Sequence, residues 1–191
     1  MMFEHITHYY DGVPLRSLSA LSKADALKMM ESRCDDTPFF ERFKQPLQYW
    51  EDRMETERWL RETFAAKGGK PKTSYPIYAV LGKAEWIENY VASERFEFDL
   101  LRLPVSIFEE EDISFTFPDS MVSYFIAKNR PEYYVPHLHG HVFTLSEVQT
   151  LITPDLVNRI ASMHPEGTIP YVEAQIWNHE AAMRYYEGTV K

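Results

Sequence analysis

The hydrophobic pattern is strongest between Pro46 and Gly69. Wound at about 100° per residue, this stretch brings Trp50, Met54, Leu60 and Phe64 onto one face, which predicts a long helix over 46–67. Its ends are marked. Pro46 suits a first turn, where a missing N–H costs nothing, and Gly68 suits the left-handed position after the last turn. Lys67 complements the negative helix end. Glu57 falls in the middle of the apolar face, with Arg53 and Arg61 one turn to either side.

Elsewhere the pattern alternates or runs apolar. Phe3 to Tyr10 reads as a strand, with His5, Thr7 and Tyr9 on one face and Ile6, His8 and Tyr10 on the other. Ile77 to Leu81 is almost wholly apolar between Pro76 and Gly82, which predicts a central strand buried on both sides. Further strands are predicted over Arg95–Leu103 (Phe96, Phe98 and Leu100 on one side), Ile113–Phe117, His139–Leu145 and Ile169–Trp177. Capping signals open helices at Ser22, at Asp119 or Ser120, at Thr144 with Glu147, and at Asn178. A short helical turn is predicted over Phe39–Lys44, a helix over Lys83–Ala92 and a turn over Pro154–Arg159. Strands and helices without regular alternation point to an α+β fold. The expectation is a single domain over 1–191: a mixed sheet of five to six strands, helices packed on its faces, one long helix, and 35–72 as a candidate helical insertion.

Composition narrows the class. The chain has 191 residues, 45% of them hydrophobic, with 4 Trp, 12 Tyr and 12 Phe, enough to build a substantial core. Its formal net charge of −9 argues against non-specific nucleic-acid binding, although a local basic patch can still hold a phosphate. The single cysteine, Cys34, cannot form an internal disulfide, which suits a reducing, cytoplasmic setting. The first residues lack the basic and apolar regions of a signal peptide. No stretch approaches the roughly 20 apolar residues that span a bilayer.

Three groups of residues carry candidate chemistry. The first is basic. Arg53 and Arg61 flank Glu57, and Lys67 and Lys70 follow around Gly68 and Gly69, a set able to hold an anion. A structural reading competes: the arginine stems cover apolar surface, and Glu57 is held by neighbours one turn away. The second is the last strand, where Tyr171, Glu173, Gln175 and Trp177 share a face. Glu173 there is a candidate base or electrostatic stabiliser, against the alternative of an ordinary outer sheet face. The third is His137-Leu138-His139-Gly140-His141. If extended, it places its histidines on one side; His139 and His141 are then candidate metal ligands, with His164 or a carboxylate as a third. This histidine run resembles cupin metal sites. It departs from them in having Phe143 and Thr144 where the cupin glutamate stands.

Three short stretches, His5-Ile6-Thr7-His8, Asp119-Ser120-Met121 and Glu173-Ala174-Gln175, resemble ADP-ribosyltransferases. The resemblance implies His5 or His8 near a nicotinamide ribose, Glu173 as the catalytic carboxylate, an arginine at the pyrophosphate, and NAD as the substrate. No nucleophile elbow, Walker, Rossmann or zinc-protease motif is present, and no cofactor is indicated by any motif. The patterns favour a protein that binds a small anionic, phosphorylated or nucleotide-like ligand, with enzymatic activity left open. The alternatives are a non-catalytic interaction or homodimerising protein, an ADP-ribosyltransferase-like NAD-using enzyme, and a metal-binding protein.

Overall fold

The computed structural model describes residues 4–34, 38–84, 88, 98–129, 134–153 and 171–189. Among these, β1 (His5–Tyr10), β2 (Ile77–Leu81), β3 (Asp99–Pro104), β4 (Ile113–Thr116) and β5 (Glu173–Ile176) build one five-stranded sheet in the order β3-β1-β2-β5-β4. The α+β class holds. Every pairing is antiparallel, where the sequence reading expected a mixed sheet. Hydrophobic pattern reveals a strand but not its direction, which depends on the edge each connection reaches. β2 occupies the centre, which accounts for its continuous apolarity.

One face of the sheet carries Ile6, Ile77, Ala79, Leu103, Ile113, Phe115, Ala174 and Ile176. Against them pack α4 (Leu145–Leu151) through Val148, and α5 (His179–Thr189) through Ala182. The other face is covered by α2 (Pro46–Ala66), whose Leu60 and Phe64 pack with Trp177 and Tyr78. α1 (Lys23–Arg33) and the 3₁₀ segment Pro38–Lys44 pack with α2 around Met30, Phe40, Phe43 and Trp50. α3 (Ser120–Asn129) lies along α2, where Trp59 meets Tyr124 and Glu55 takes hydrogen bonds from Tyr124 and Lys128.

The local signals of the sequence act as anticipated. Ser22 accepts from the Asp25 N–H, and Thr144 with Glu147 completes a capping box. α2 closes with Gly68 at φ 95°, and the Gly69 and Gly68 N–H groups return to the carbonyls of Phe64 and Ala65. Two readings change. In β3, pairing of Ile6 with Leu103 turns Leu103 inward and leaves Leu100 exposed, the reverse of the side assigned from pattern. The strand expected over His139–Leu145 is a turn followed by one bridge between Phe143 and Phe115, because Pro136 interrupts the extended backbone and Gly140 adopts φ 73°. The turn expected over 154–159, residues 95–97 and most of the helix expected over 83–92 lie outside the described residues. No helix among the described residues is long and apolar enough to cross a membrane.

Candidate functional site

A cavity of about 710 Å³ opens between the α2-covered face of the sheet, the Pro38–Lys44 segment and the start of α3. A gap in the sheet helps to form it. The β1–β2 ladder contains only Ile6↔Leu81 and Thr7↔Val80, while β1 continues along β3 as far as Tyr10. His8 bridges the gap. Its Nδ1 is 2.7 Å from the Tyr78 carbonyl, and its Nε2 accepts the Leu15 N–H at 2.9 Å. These two contacts define the neutral ring with its proton on Nδ1, and burial lowers the tendency of His8 to charge. The second contact also holds Leu15, a non-glycine residue at φ 59°. Both nitrogens of His8 are therefore spent on backbone, so neither is left for the nicotinamide ribose that the ADP-ribosyltransferase resemblance would place near His5 or His8.

Glu173 and Asp119 also line the cavity. Both are placed by the first turn of α3. Glu173 Oε1 accepts the Ser120 N–H at 3.1 Å, and Asp119 Oδ1 accepts the Val122 N–H at 2.9 Å. Burial pushes the Glu173 carboxyl up to about 7, and the negative charge of Asp119 adds to that, against the pull of the Ser120 and Gln175 hydrogen bonds. Asp119 is raised too, first by burial, while the Val122 N–H and the Arg42 charge oppose. The charge of one disfavours the charge of the other, so the two carboxyls titrate as a pair. The Tyr171 phenol beside them is raised well above its ordinary value, by burial and then by the same two carboxyls, so it stays protonated.

Arg53 lines the cavity from α2, its guanidinium carbon 4.6 Å from the Tyr78 ring centroid. Its Nε lies 3.0 Å from Glu57 Oε1 and donates to Ser19 Oγ at 2.8 Å. Glu57 Oε1 also accepts from Ser19 and Tyr78. Burial raises the Glu57 carboxyl, and these donors hold it down. Glu57 is thus fully committed to the interior, and the expected Arg–Glu–Arg ladder forms only in its first half. Arg61 is exposed, with its Nε donating to the Thr73 carbonyl at 3.4 Å. Lys67 and Lys70 point elsewhere, pairing with Glu147 at 2.7 Å and Glu111 at 2.6 Å. Lys72 lies 3.6 Å from Asp112, so the basic exit of α2 is tied down by Glu147, Glu111 and Asp112 and lines no part of the cavity.

The last strand divides in the same way. Tyr171 and Glu173 line the cavity, whereas Gln175 and Trp177 are wholly buried behind them. The Trp177 Nε1–H donates to Ser114 Oγ at 2.9 Å, Ser114 donates to Gln175 Oε1 at 3.0 Å, and Gln175 Nε2 donates to Thr116 Oγ1 and Glu173 Oε1, each at 3.0 Å. This face is no solvated outer surface; α2 covers it.

The histidine run does not assemble as drawn from sequence. His139 is buried, with its Nδ1 accepting the Val135 N–H at 3.1 Å, while His141 Nε2 lies 2.7 Å from the Pro136 carbonyl. With residues 136–140 in a turn, the three histidines share no strand face. His164 lies outside the described residues, among which no group of three His, Cys, Asp or Glu is placed to hold a metal.

Arg42, Tyr49 and Tyr78 contribute to the cavity without being singled out by the sequence, and Asp119 reads from sequence only as a helix cap and within Asp119-Ser120-Met121. Arg42 stacks over Phe43 and Tyr49, 5.3 and 5.9 Å from their centroids. The fold and cavity describe an antiparallel α+β protein with an aromatic pocket holding an acid pair. Comparison with family models, curated proteins and solved structures finds no match.

Proposed function

We propose that the protein binds a small organic anion with an aromatic or apolar body in this cavity, and that the Glu173–Asp119 pair meets the ligand's polar end. The charge of the lining carries this reading. Arg33 pairs with Asp11 and Arg53 with Glu57, so these four cancel. Arg16 and Arg42 add two further guanidinium groups to the lining, which also holds the raised carboxyls of Asp119 and Glu173. Four arginines thus gather at one cavity of a protein whose net charge is −9. Rings from Tyr9, Tyr49, Tyr78 and Tyr171 give the remainder of the pocket an apolar, stacking character. Nucleotide-like and aromatic acids share this chemistry. A carboxyl that exchanges its proton near neutral pH also equips the site for general acid–base catalysis.

The test is a thermal-melt panel with adenosine monophosphate, 4-hydroxybenzoate, glucose 6-phosphate and their uncharged counterparts. A ligand at about 100 times its dissociation constant stabilises by roughly 2.7 kcal/mol, a shift of several degrees for a chain of this size. Exposed Arg16 supplies the control: Arg16→Ala leaves the melting point of the free protein in place and weakens the anion's shift. Shifts produced only by uncharged or cationic compounds overturn the reading.

A further inference from the structure

Gln175, Ser114 and Trp177 touch no part of the cavity, yet they form an unbroken buried chain ending on Glu173. The chain has one direction. An indole N–H can only donate, so Ser114 Oγ accepts from Trp177 and must spend its own hydrogen on Gln175 Oε1. That orients the amide. Its two N–H groups are then directed to Thr116 Oγ1 and Glu173 Oε1. The Ser120 N–H reaches the same Glu173 oxygen, so Oε1 receives two donors and has no room for a proton. Cross-strand register builds the arrangement: Gln175 lies between Tyr78 and Ser114, and Glu173 between Val80 and Thr116.

We propose that Trp177, Ser114 and Gln175 form a positioning relay that saturates Glu173 Oε1 and reserves Oε2 for the carboxyl proton of Glu173, so that Glu173 offers a hydrogen-bond donor to an acceptor oxygen of the anionic ligand. The ligand in this statement rests on the reading of the cavity above; the proton's location is a property of the free protein. The groups around the pair leave the assignment to these two carboxyls. Tyr171 on β5 and Tyr78 on β2 are phenols raised well above their ordinary value, and His8 on β1 is lowered and neutral. Arg53 with Glu57 and Tyr49 on α2, Arg33 of α1, Asp11 and Arg16 after β1, and Arg42 of the 3₁₀ segment complete the charged and phenolic surroundings. Tyr9 and Tyr10 of β1 are phenols with raised values that do not titrate near neutrality.

Carboxyl carbon NMR of ligand-free protein, labelled at glutamate Cδ and assigned with Glu173→Gln, follows the proton directly. The expected wild-type midpoint for Glu173 lies near 7, and Asp119→Asn lowers it. Gln175→Met removes a donor to the ionised form and raises the midpoint by about one unit. Ser114→Ala, a smaller change in the core, frees the amide to turn its oxygen toward Glu173 and moves the midpoint in the same direction. A wild-type midpoint in the ordinary carboxylate range overturns the proposal, as does an unmoved midpoint in both variants with backbone spectra intact. Neither result depends on ligand, so loss of the relay and loss of the anion-binding reading are told apart.

Discussion

Glu173→Gln converts the buried acid pair into a stability measurement. The Glu173 carboxyl goes from an ordinary value of 4.5 to about 7 on folding. Between those values the unfolded chain has released the proton and the folded protein keeps it. The folded state therefore binds more protons, and stability falls as pH rises. The contribution is fully present below 4.5 and is lost as pH climbs through 7. At about 1.4 kcal/mol per unit, the whole interval is worth about 3 kcal/mol. Glu173 is 9% exposed, so solvent screening takes little from this figure. Glutamine imitates the protonated form, keeping an oxygen for the Ser120 and Gln175 donors, and it cannot ionise. The variant is expected to match wild type below about pH 4 and to exceed it by about 3 kcal/mol at pH 8, or roughly 6–12 °C in melting temperature. Urea titrations of both proteins across this range are the assay. His8 and His179 are lowered by burial and give the opposite slope, since the unfolded chain takes their protons first. The difference between wild type and variant cancels them. A difference that stays flat, or grows toward acid, refutes the reasoning.

Other perturbations test the frame around the site. A Cβ on Gly69 would lie 2.5 Å from the Phe64 ring, itself fully buried and stacked 6.4 Å from Trp177; Gly69→Ala is expected to cost about 1–3 kcal/mol by chemical denaturation. Thr144→Ala removes the α4 capping box and should cost about 1 kcal/mol in the same assay, leaving ligand-induced melting shifts unchanged. Arg53→Met leaves the Glu57 carboxylate buried without its cation and is expected to destabilise by about 3–5 kcal/mol, whereas a paired Arg53→Met/Glu57→Met change should recover much of the loss.

The limits of α2 are written into its own residues. Pro46, the apolar recurrence through Phe64, and Gly68 act within a turn or two of where they stand, and the helix ends where they direct. The same holds for the caps at Ser22 and Thr144 and for the central placing of β2, whose unbroken apolarity demands cover on both faces. Local pattern also grouped Tyr171 with Glu173, because alternate residues of a strand share a face. It could not separate Arg53 from Arg61, which sit two turns apart on one helix. One enters the cavity beside Tyr78 and the other meets the Thr73 carbonyl.

Local sequence therefore decided the ends of α2, the caps at Ser22 and Thr144, the unbroken apolarity of β2, and that Glu173 shares a strand face with Tyr171. Tertiary structure alone decided strand direction, the short β1–β2 ladder beside the cavity, and the placing of Glu173 and Asp119 in one lining. A cap signal and a strand glutamate say nothing of each other until β5 pairs with β4 and brings Glu173 to the Ser120 N–H, 53 positions away in sequence. The physical reason is range. Propensity and periodicity act over a few residues, whereas burial and charge coupling depend on what the folded chain places across the gap, and those two effects raise this carboxyl to about 7.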